Sequence, residues 1–400
     1  MPELGQSQNS NDICATVNHF NTRAFATRAE RRVKDNPCID GTHIIGLDMG
    51  YSGPKVVHEK GNLCFPNFCI RITGEQFGEP GKNDIVYEDL VNGAKYYVGE
   101  MAIRSLKEDS VVTESSLFGR NHFLHPDFII KMRSAIALAL WDLPGTDGSD
   151  LFIQTGLPPA YMSSEQYLRA ALQQRHAFAV SLGGERRLFD FTITAGQVDV
   201  MYQPMGTFYS IVFDRDGKML PEAKDYMNSN LMIFDGGFGT LDRFLVRGRQ
   251  LESKETDPRL GMRRVLDETR KLIYKDIGVD ISIPGLQTSL RSGIIRKADM
   301  ITLTQKEYDI GKYLQQANEL VRSEAFESIK DDVFDIQKLV MSGGTGAAWC
   351  EYFADRLKGI PSLEVIPGNH NSNLPVIYSN ARGYYFSRLN SIRKSNTVRR

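Results

Sequence analysis

A strand–loop–strand pattern occurs once in each half of this chain. Asp48-Met-Gly-Tyr-Ser-Gly-Pro-Lys55 follows the apolar run 43–47, and Asp235-Gly-Gly-Phe-Gly-Thr-Leu-Asp242 follows the apolar run 231–234. Each segment begins with an aspartate at the end of a buried strand and continues through a glycine-rich turn into a second strand. Such an internal repeat predicts two related lobes that face one shared ligand.

A third glycine-rich loop follows another buried strand. Ser342-Gly-Gly-Thr-Gly346 comes after the apolar run 338–341 and before a predicted helix that ends near Leu357. Any one of the three loops could be an ordinary β-turn, since turns favour Asp and Gly. Three loops in this order favour a nucleotide instead, because glycine lets backbone N–H groups approach phosphates and a helix N-terminus attracts a phosphate.

The charged residues of the first two loops fit a triphosphate with its metal ion. Lys55 can supply a cation, and Asp48 and Asp235 can hold Mg²⁺ directly or through its waters. The chain has no Gly-Lys-Ser/Thr sequence of a Walker A motif and no G-x-G-x-x-G after its first strand. The two commonest nucleotide-binding folds are therefore disfavoured.

The wider pattern of the chain predicts an α/β protein. Apolar strands alternate with helices that we expect at 128–141, 261–277 and 303–329 and from the end of the loop at Gly346 to Leu357. In such folds the ligand loops follow the ends of the strands. A chain of 400 residues is too long for one ordinary core, which predicts two domains.

Composition excludes several classes of function. The net charge of −1 gives no broad field for DNA or anionic lipid, and the five scattered cysteines form no paired zinc motif. The polar N-terminus has no apolar leader, and the longest helical apolar stretch, around 134–141, is too short to span a membrane. We therefore expect a cytoplasmic protein. The charged segment 28–34 is typical of a solvated tail or of a short helix that docks on a neighbour.

The order of these loops resembles a known superfamily. Asp48…Lys55, Asp235…Asp242 and Ser342-Gly-Gly-Thr345 are similar to the phosphate-1, phosphate-2 and adenosine motifs of the actin, sugar-kinase and heat-shock-chaperone superfamily. Asn380-Ala-Arg-Gly383 resembles the segment where the chain crosses back to the first lobe. Tyr96-Tyr-Val-Gly-Glu100 and Thr155-Gly-Leu-Pro158 are similar to segments of the bacterial and archaeal actin-like proteins, especially the plasmid-segregation ParM group.

The resemblance implies a role for each matching residue. Asp48 and Asp235 would position Mg²⁺, and Gln203 would orient the attacking water, although a surface amide is an equal alternative for Gln203. The residues implied to contact ATP are Gly50, Ser52, Gly53, Lys55, Gly237, Gly239, Thr240, Gly343, Gly344 and Gly346. Tyr51 departs from the small residue usual at its position, and Phe238 is bulky where the second loop is usually small or acidic.

The resemblance also implies the architecture and the activity. The expected fold is a two-lobed actin-like ATPase fold, with duplicated ribonuclease-H-like domains around a nucleotide cleft. The expected bounds are an N-terminal extension at 1–40, domain I at 41–203 with a C-terminal return at 384–400, and domain II at 204–383. Such a protein would polymerise into filaments with ATP and Mg²⁺, hydrolyse ATP, and segregate plasmid DNA through a DNA-binding adaptor rather than by its own sequence-specific contact.

Two other functions of the same superfamily stay open at this point. A small-molecule kinase for a sugar or acetate would need an aspartate that deprotonates a substrate hydroxyl, and Asp127 or Asp199 are available. A chaperone would need a long substrate-binding domain after the second lobe, where the sequence offers only about ten residues after Tyr384-Tyr-Phe386. The basic tail 388–400 has too few apolar residues for a membrane-binding face.

Overall fold

A computed structural model describes residues 20–74, 80–105, 123, 125–143, 148–299 and 301–398. The predicted positions 1–19 of the N-terminal extension lie outside these residues. The strands are β1 Glu30–Val33, β2 His43–Gly50, β3 Gly53–His58, β4 Gly61–Cys64, β5 Cys69–Arg71, β6 Ile85–Asp89, β7 Lys95–Val98, β8 Leu151–Leu157, β9 Arg175–Leu182, β10 Glu185–Thr192, β11 Val198–Tyr202, β12 Leu231–Gly236, β13 Leu241–Arg247, β14 Gln250–Asp257, β15 Ile294–Asp299, β16 Thr304–Asp309, β17 Lys338–Ser342 and β18 Glu364–Pro367.

The helices lie between and after these strands. They are α1 Glu100–Ser105, α2 Pro126–Ala139, α3 Glu165–Leu172, α4 Gln203–Val212, α5 Ala223–Asn228, α6 Met262–Ile277, α7 Ile283–Ser289, α8 Gly311–Glu327, α9 Gly343–Leu357 and α10 Ser379–Val398. The helices expected at 128–141 and 261–277 are confirmed within two residues at each end. The helix expected after Gly346 begins earlier, at Gly343, and ends at Leu357 as expected. None of the helices in the described ranges is both long and apolar enough to cross a membrane.

Two sheets have the same topology, which explains the sequence repeat. One has the order β1-β4-β3-β2-β8-β11 and the other has the order β14-β13-β12-β17-β18. In each, three consecutive strands pair antiparallel, and two further strands add in parallel on the other side of the first. Parallel strands need a crossover connection, so the two later strands arrive after helical segments. The predicted duplicated α/β fold with two lobes is confirmed.

The registers of the two hairpins match residue by residue. Asp48 pairs with Lys55 across β2 and β3, and Asp235 pairs with Asp242 across β12 and β13. Both aspartates therefore lie at corresponding positions near the carboxyl ends of the first strands of their sheets.

Each lobe has its own apolar core, and a third cluster joins the lobes. The first core gathers around α2 and includes Leu47 and Val56, whereas the second gathers around α6, α8 and α9. The third cluster contains residues of both sheets, of α4 and of α10. In the first lobe, a further sheet in the order β10-β9-β6-β7-β5 packs on its core.

Helices α4 and α10 cross at very close range. A Cβ added at Gly383 would lie 1.7 Å from the carbonyl oxygen of Gly206 and 2.9 Å from the backbone nitrogen of Ser210. Only glycine allows two helix backbones to approach in this way. The crossing fixes α10 against α4 beside the second loop. The predicted domain bounds 41–203, 204–383 and 384–400 stay a prediction.

Two expectations about local structure are wrong. Residues 30–33 form the edge strand β1 and pair antiparallel with β4, whereas the sequence favoured a solvated tail or a short helix. A polar strand at a sheet edge is held by backbone hydrogen bonds, so its side chains carry no apolar pattern. The helix expected over 303–329 begins only at Gly311, because residues 304–309 form β16 and pair with β15.

Candidate functional site

A cavity of about 350 Å³ lies between the two lobes. This volume falls in the range of roughly 300–1,000 Å³ that is typical of small-molecule sites. The sequence-predicted site residues that line it are Asp48, Gly50, Ser52, Gly53, Lys55, Gln203, Asp235, Gly237, Gly239, Thr240, Gly343 and Gly344. The structure therefore brings all three glycine-rich loops to one cavity, and Gly346 is the predicted residue that does not line it.

The first loop is held in shape by the segment that follows β4. The Asn67 backbone N–H donates to the Ser52 carbonyl at 3.1 Å, and the Asn67 side-chain amide donates to the Tyr51 carbonyl at 3.1 Å. Gly53 has a φ of +151°, and a Cβ there would lie 1.9 Å from the carbonyl oxygen of Phe65. The turn can therefore close only with glycine at this position.

Lys55 lies across the first loop. Its ammonium donates to the Ser52 hydroxyl at 2.8 Å, and a Cβ at Gly50 would lie 2.7 Å from Lys55 Nζ. The absence of a side chain at Gly50 leaves the space that the ammonium occupies. Asp48 is buried directly across the hairpin register from Lys55.

Asp235 of the second loop is buried and has two amide donors. The Asn380 side chain donates to Asp235 Oδ2 at 2.7 Å, and the Gln203 side chain donates to the same oxygen at 3.3 Å. Thr207 in turn donates to Asn380 Oδ1 at 2.8 Å. Gln203 is the first residue of α4 and lines the cavity, and its role toward a water stays a prediction.

The third loop packs directly on the second. Gly343 has a φ of +74°, and a Cβ there would lie 2.3 Å from the Gly236 carbonyl oxygen. A Cβ at Gly236 would lie 2.6 Å from the backbone nitrogen of Gly346. Thr345 donates to the Gly237 carbonyl at 2.7 Å. Gly346 thus belongs to the packing between the two loops and lies behind the cavity wall.

Burial raises the pKa values of three carboxylates at the site. Burial raises the pKa of Asp48 to about 6, with Lys55 opposing the rise and Asp235 adding to it. Burial also raises the pKa of Asp235, against the amide donors and Lys55. Behind them burial raises the pKa of Asp242 to about 8, with Asp235 and then Asp48 contributing. Removing three carboxylates from water beside one lysine costs free energy that a bound cation would offset.

The donor set fits Mg²⁺ with a triphosphate. Asp48 and Asp235 face the cavity, and buried Asp242 Oδ1 has no hydrogen-bond partner in the described part of the chain. Mg²⁺ is usually bound by one or two carboxylates, substrate phosphates and waters. No group of three or more His, Cys, Asp and Glu side chains with metal-binding geometry occurs among the described residues.

Several site residues were not predicted from the sequence. Tyr51 carries its ring across the cleft, where a Cβ at Gly239 would lie 2.6 Å from Tyr51 Cδ2. Burial and Tyr161 raise the pKa of Tyr51, so its phenol stays protonated. The size of Tyr51, at a position where a small residue is usual, was the feature of the sequence that could have indicated a role in the site. Asn380 was harder to identify, because its segment resembled a connection between lobes rather than a binding motif.

Comparisons with known proteins agree with the fold described above. Residues 46–206 match the family model of the actin-like proteins N-terminal domain. A search among curated proteins gives no match.

Solved structures match over nearly the whole chain. A pCBH ParM non-polymerisable quadruple mutant is 17% identical, covers 88% of this chain and 99% of its own, and has a TM-score of 0.65. A 15-stranded ParM filament from Clostridium botulinum is 16% identical, with 86% and 98% coverage and a TM-score of 0.63. The archaeal actin homologue Ta0583 in complex with ADP is 15% identical, with 86% and 98% coverage and a TM-score of 0.55.

Proposed function

We propose that this chain is a filament-forming ATPase of the ParM type, because its fold is similar to that of actin-like proteins and residues 46–206 match the model of their N-terminal domain. It polymerises with ATP and Mg²⁺ in the cytoplasm and segregates plasmid DNA through a DNA-binding adaptor. The observation that carries the proposal is the cavity in which Asp48, Lys55 and Asp235 meet three glycine-rich loops.

The phosphates of ATP lie between the first two loops. Backbone N–H groups at the glycines approach the phosphate oxygens without obstruction by a Cβ, and the Lys55 ammonium supplies a fixed positive charge. Asp48 and Asp235 would hold Mg²⁺, which would supply positive charge against the phosphates. The adenosine lies along Gly343 and Gly344 at the start of α9. The ADP-bound archaeal homologue supports a nucleotide in a fold of this kind.

Gln203 and Asp235 position the attacking water. The Gln203 amide donates a hydrogen bond to Asp235, which leaves its side-chain oxygen to accept a hydrogen bond from a water that would attack in line with the γ-phosphate. Phosphoryl transfer depends chiefly on positioning and on charge stabilisation, so an amide suffices in this role. Asn380 donates to the same oxygen of Asp235 as Gln203 does, and Thr207 holds Asn380 through a further hydrogen bond.

Electron microscopy of the purified protein with ATP and Mg²⁺ tests the proposal together with phosphate release. We expect filaments from the wild type and a loss of turnover of about 100-fold or more in Asp235→Asn. The matched control is Asp190→Asn, because Asp190 is an exposed partner of Arg175 on the surface. Absence of polymer over a range of salt and crowding would contradict the filament proposal.

Two further experimental outcomes bear on the small-molecule kinase alternative and on the DNA-binding adaptor. ATP consumption that depends on added sugar or acetate would favour a small-molecule kinase. Filaments that bind plasmid DNA directly at about 0.15 M salt would contradict the adaptor, because a chain of net charge −1 lacks the counterion release that drives such binding.

A further inference from the structure

Residues 20–28 run between the two lobes and form a strap, a name that we use for this segment. The strap precedes β1 in the chain and is separate from the three glycine-rich loops. Its five residues 24–28 line the same cavity as Asp48 and Asp235.

The C-terminal end of the strap is fixed to the first lobe. The strap continues into β1, which pairs with β4 from Glu30 opposite Cys64 to Val33 opposite Gly61. A Cβ at Gly61 would lie 1.9 Å from the Arg32 carbonyl oxygen, so the edge strand can dock closely only because residue 61 is glycine.

The N-terminal end of the strap is fixed to the second lobe. Thr22 is buried and donates its hydroxyl to the Leu290 carbonyl at 2.8 Å, and Arg23 Nε donates to the Arg291 carbonyl at 2.8 Å. The rings of Phe20 and Phe25 stack with their centroids 5.5 Å apart, and both pack against the second core.

Arg291 ties the strap to both lobes. Its guanidinium donates to the Thr27 carbonyl at 3.2 Å, and it also forms an ion pair with Glu100 of α1. Arg291 follows α7 in the second lobe, whereas Glu100 follows β7 in the first. The strap therefore lies where the lobes are already bridged by an ion pair.

The strap extends along the length of the site. The Cys64 thiol donates to the Arg28 carbonyl at 3.5 Å, and Cys64 pairs in register with Lys55 across β4 and β3. Arg28 is thus at the phosphate end of the cavity. Residues 22–25 contact α9, which begins with the third loop, so they are at the adenosine end.

Arg28 is an exposed cation at the cavity wall. Within the described ranges its side chain makes no hydrogen bond or ion pair. Guanidinium groups bind phosphate through two parallel N–H donors, which distinguishes them from a lysine ammonium. Apart from Arg28, the cation among the residues that the structure describes that lines the cavity beside the negative charges of Asp48 and Asp235 is Lys55.

We propose that the strap is a fourth segment of the nucleotide site, in which Arg28 binds the phosphates and Phe25 seals the adenosine end. This inference rests on the proposed ATP site. Since the strap is anchored to one lobe at each end, bound nucleotide leaves only after the second-lobe anchor has released. The strap thereby sets the rate of nucleotide exchange.

Displacement of a fluorescent ATP analogue by excess ATP, followed by stopped flow at protein concentrations too low for polymer, measures this rate. We expect Phe25→Ala and Thr22→Val each to raise the dissociation rate by about five- to tenfold, from the loss of ring packing and of one hydrogen bond. Arg28→Gln should weaken ATP by about tenfold and leave adenosine binding unchanged.

The matched control is Arg32→Gln, which removes an exposed guanidinium whose ion-pair partner among the described residues is Glu30 on β1. It should leave the rate and both affinities at their wild-type values. Equal dissociation rates in wild type, Phe25→Ala and Thr22→Val overturn the strap inference while leaving the ATP site intact. Failure of the wild type to bind any nucleotide overturns the proposed function itself. If Phe25→Ala does not fold, Thr22→Val decides the result, because it exchanges a hydroxyl for a methyl of the same shape.

Discussion

Replacing Gly383 by alanine tests whether the crossing of α4 and α10 holds the catalytic residues in place. The new Cβ would lie 1.7 Å from the Gly206 carbonyl oxygen and 2.5 Å from its carbonyl carbon. Ordinary carbon contacts lie at about 3.5 Å, so the two helices must separate by more than about 1 Å. Both obstructing atoms are backbone, and no side-chain rotation relieves the overlap.

Separation of the two helices lowers the free energy of unfolding through worse packing and through lost hydrogen bonds at the site. Overpacking of a well-packed contact typically costs about 1–3 kcal/mol, and a backbone contact belongs at the upper end. Asn380 lies three residues before Gly383 on α10 and joins Thr207 of α4 to Asp235. Loss of these hydrogen bonds adds about 1–2 kcal/mol, since one of them is to a carboxylate. We expect a total loss of about 3–5 kcal/mol in the free energy of unfolding.

Thermal unfolding and phosphate release measure the two consequences separately. At roughly 2–4 °C per kcal/mol for a large chain, the midpoint should fall by about 6–20 °C. The ATPase rate should fall even at temperatures where the variant is folded. The matched control is Gly359→Ala, where a Cβ would meet no atom within 4 Å and the midpoint should change by only about 1 °C or so. Equal midpoints for the two variants would refute the steric reasoning.

Three further predictions concern the site itself. Lys55→Gln should weaken binding of a triphosphate by about 10- to 100-fold and that of adenosine little, as titration calorimetry would show, since it removes the ammonium beside Ser52. Asp242 should contribute a loss of stability to the ligand-free protein as the pH rises from about 4 to about 8, because the folded chain holds a proton on Asp242 up to its raised pKa of about 8 whereas the unfolded chain releases it near its ordinary pKa. Asp242→Asn should flatten that part of the midpoint-against-pH curve, and a curve identical to wild type would contradict the assignment. Gly53→Ala should lower the unfolding midpoint and the ATP affinity together, because its Cβ would meet the Phe65 carbonyl oxygen at 1.9 Å; a midpoint within 1–2 °C of wild type would count against a turn that requires glycine.

Local sequence determined the buried central strands, the glycine-rich loops and the identity of the cavity-facing aspartates. Apolar runs such as those before Asp48 and Asp235 fix where a buried strand ends, and glycine fixes where the backbone must turn. Because the same pattern occurs in both halves, the sequence was sufficient to predict two lobes of one topology. It could not distinguish Gly346, which packs on Gly236, from neighbouring glycines that line the cavity.

Only the tertiary structure decided which distant residues meet. Asn380 reaches Asp235 across 145 positions, and Thr22 reaches Leu290 across 268. Such contacts depend on how whole helices and sheets pack, and no local periodicity encodes them. For the same reason β1 was missed: its polar side chains gave no pattern, since backbone pairing to β4 places it at the edge of the sheet and carries the strap to the cavity.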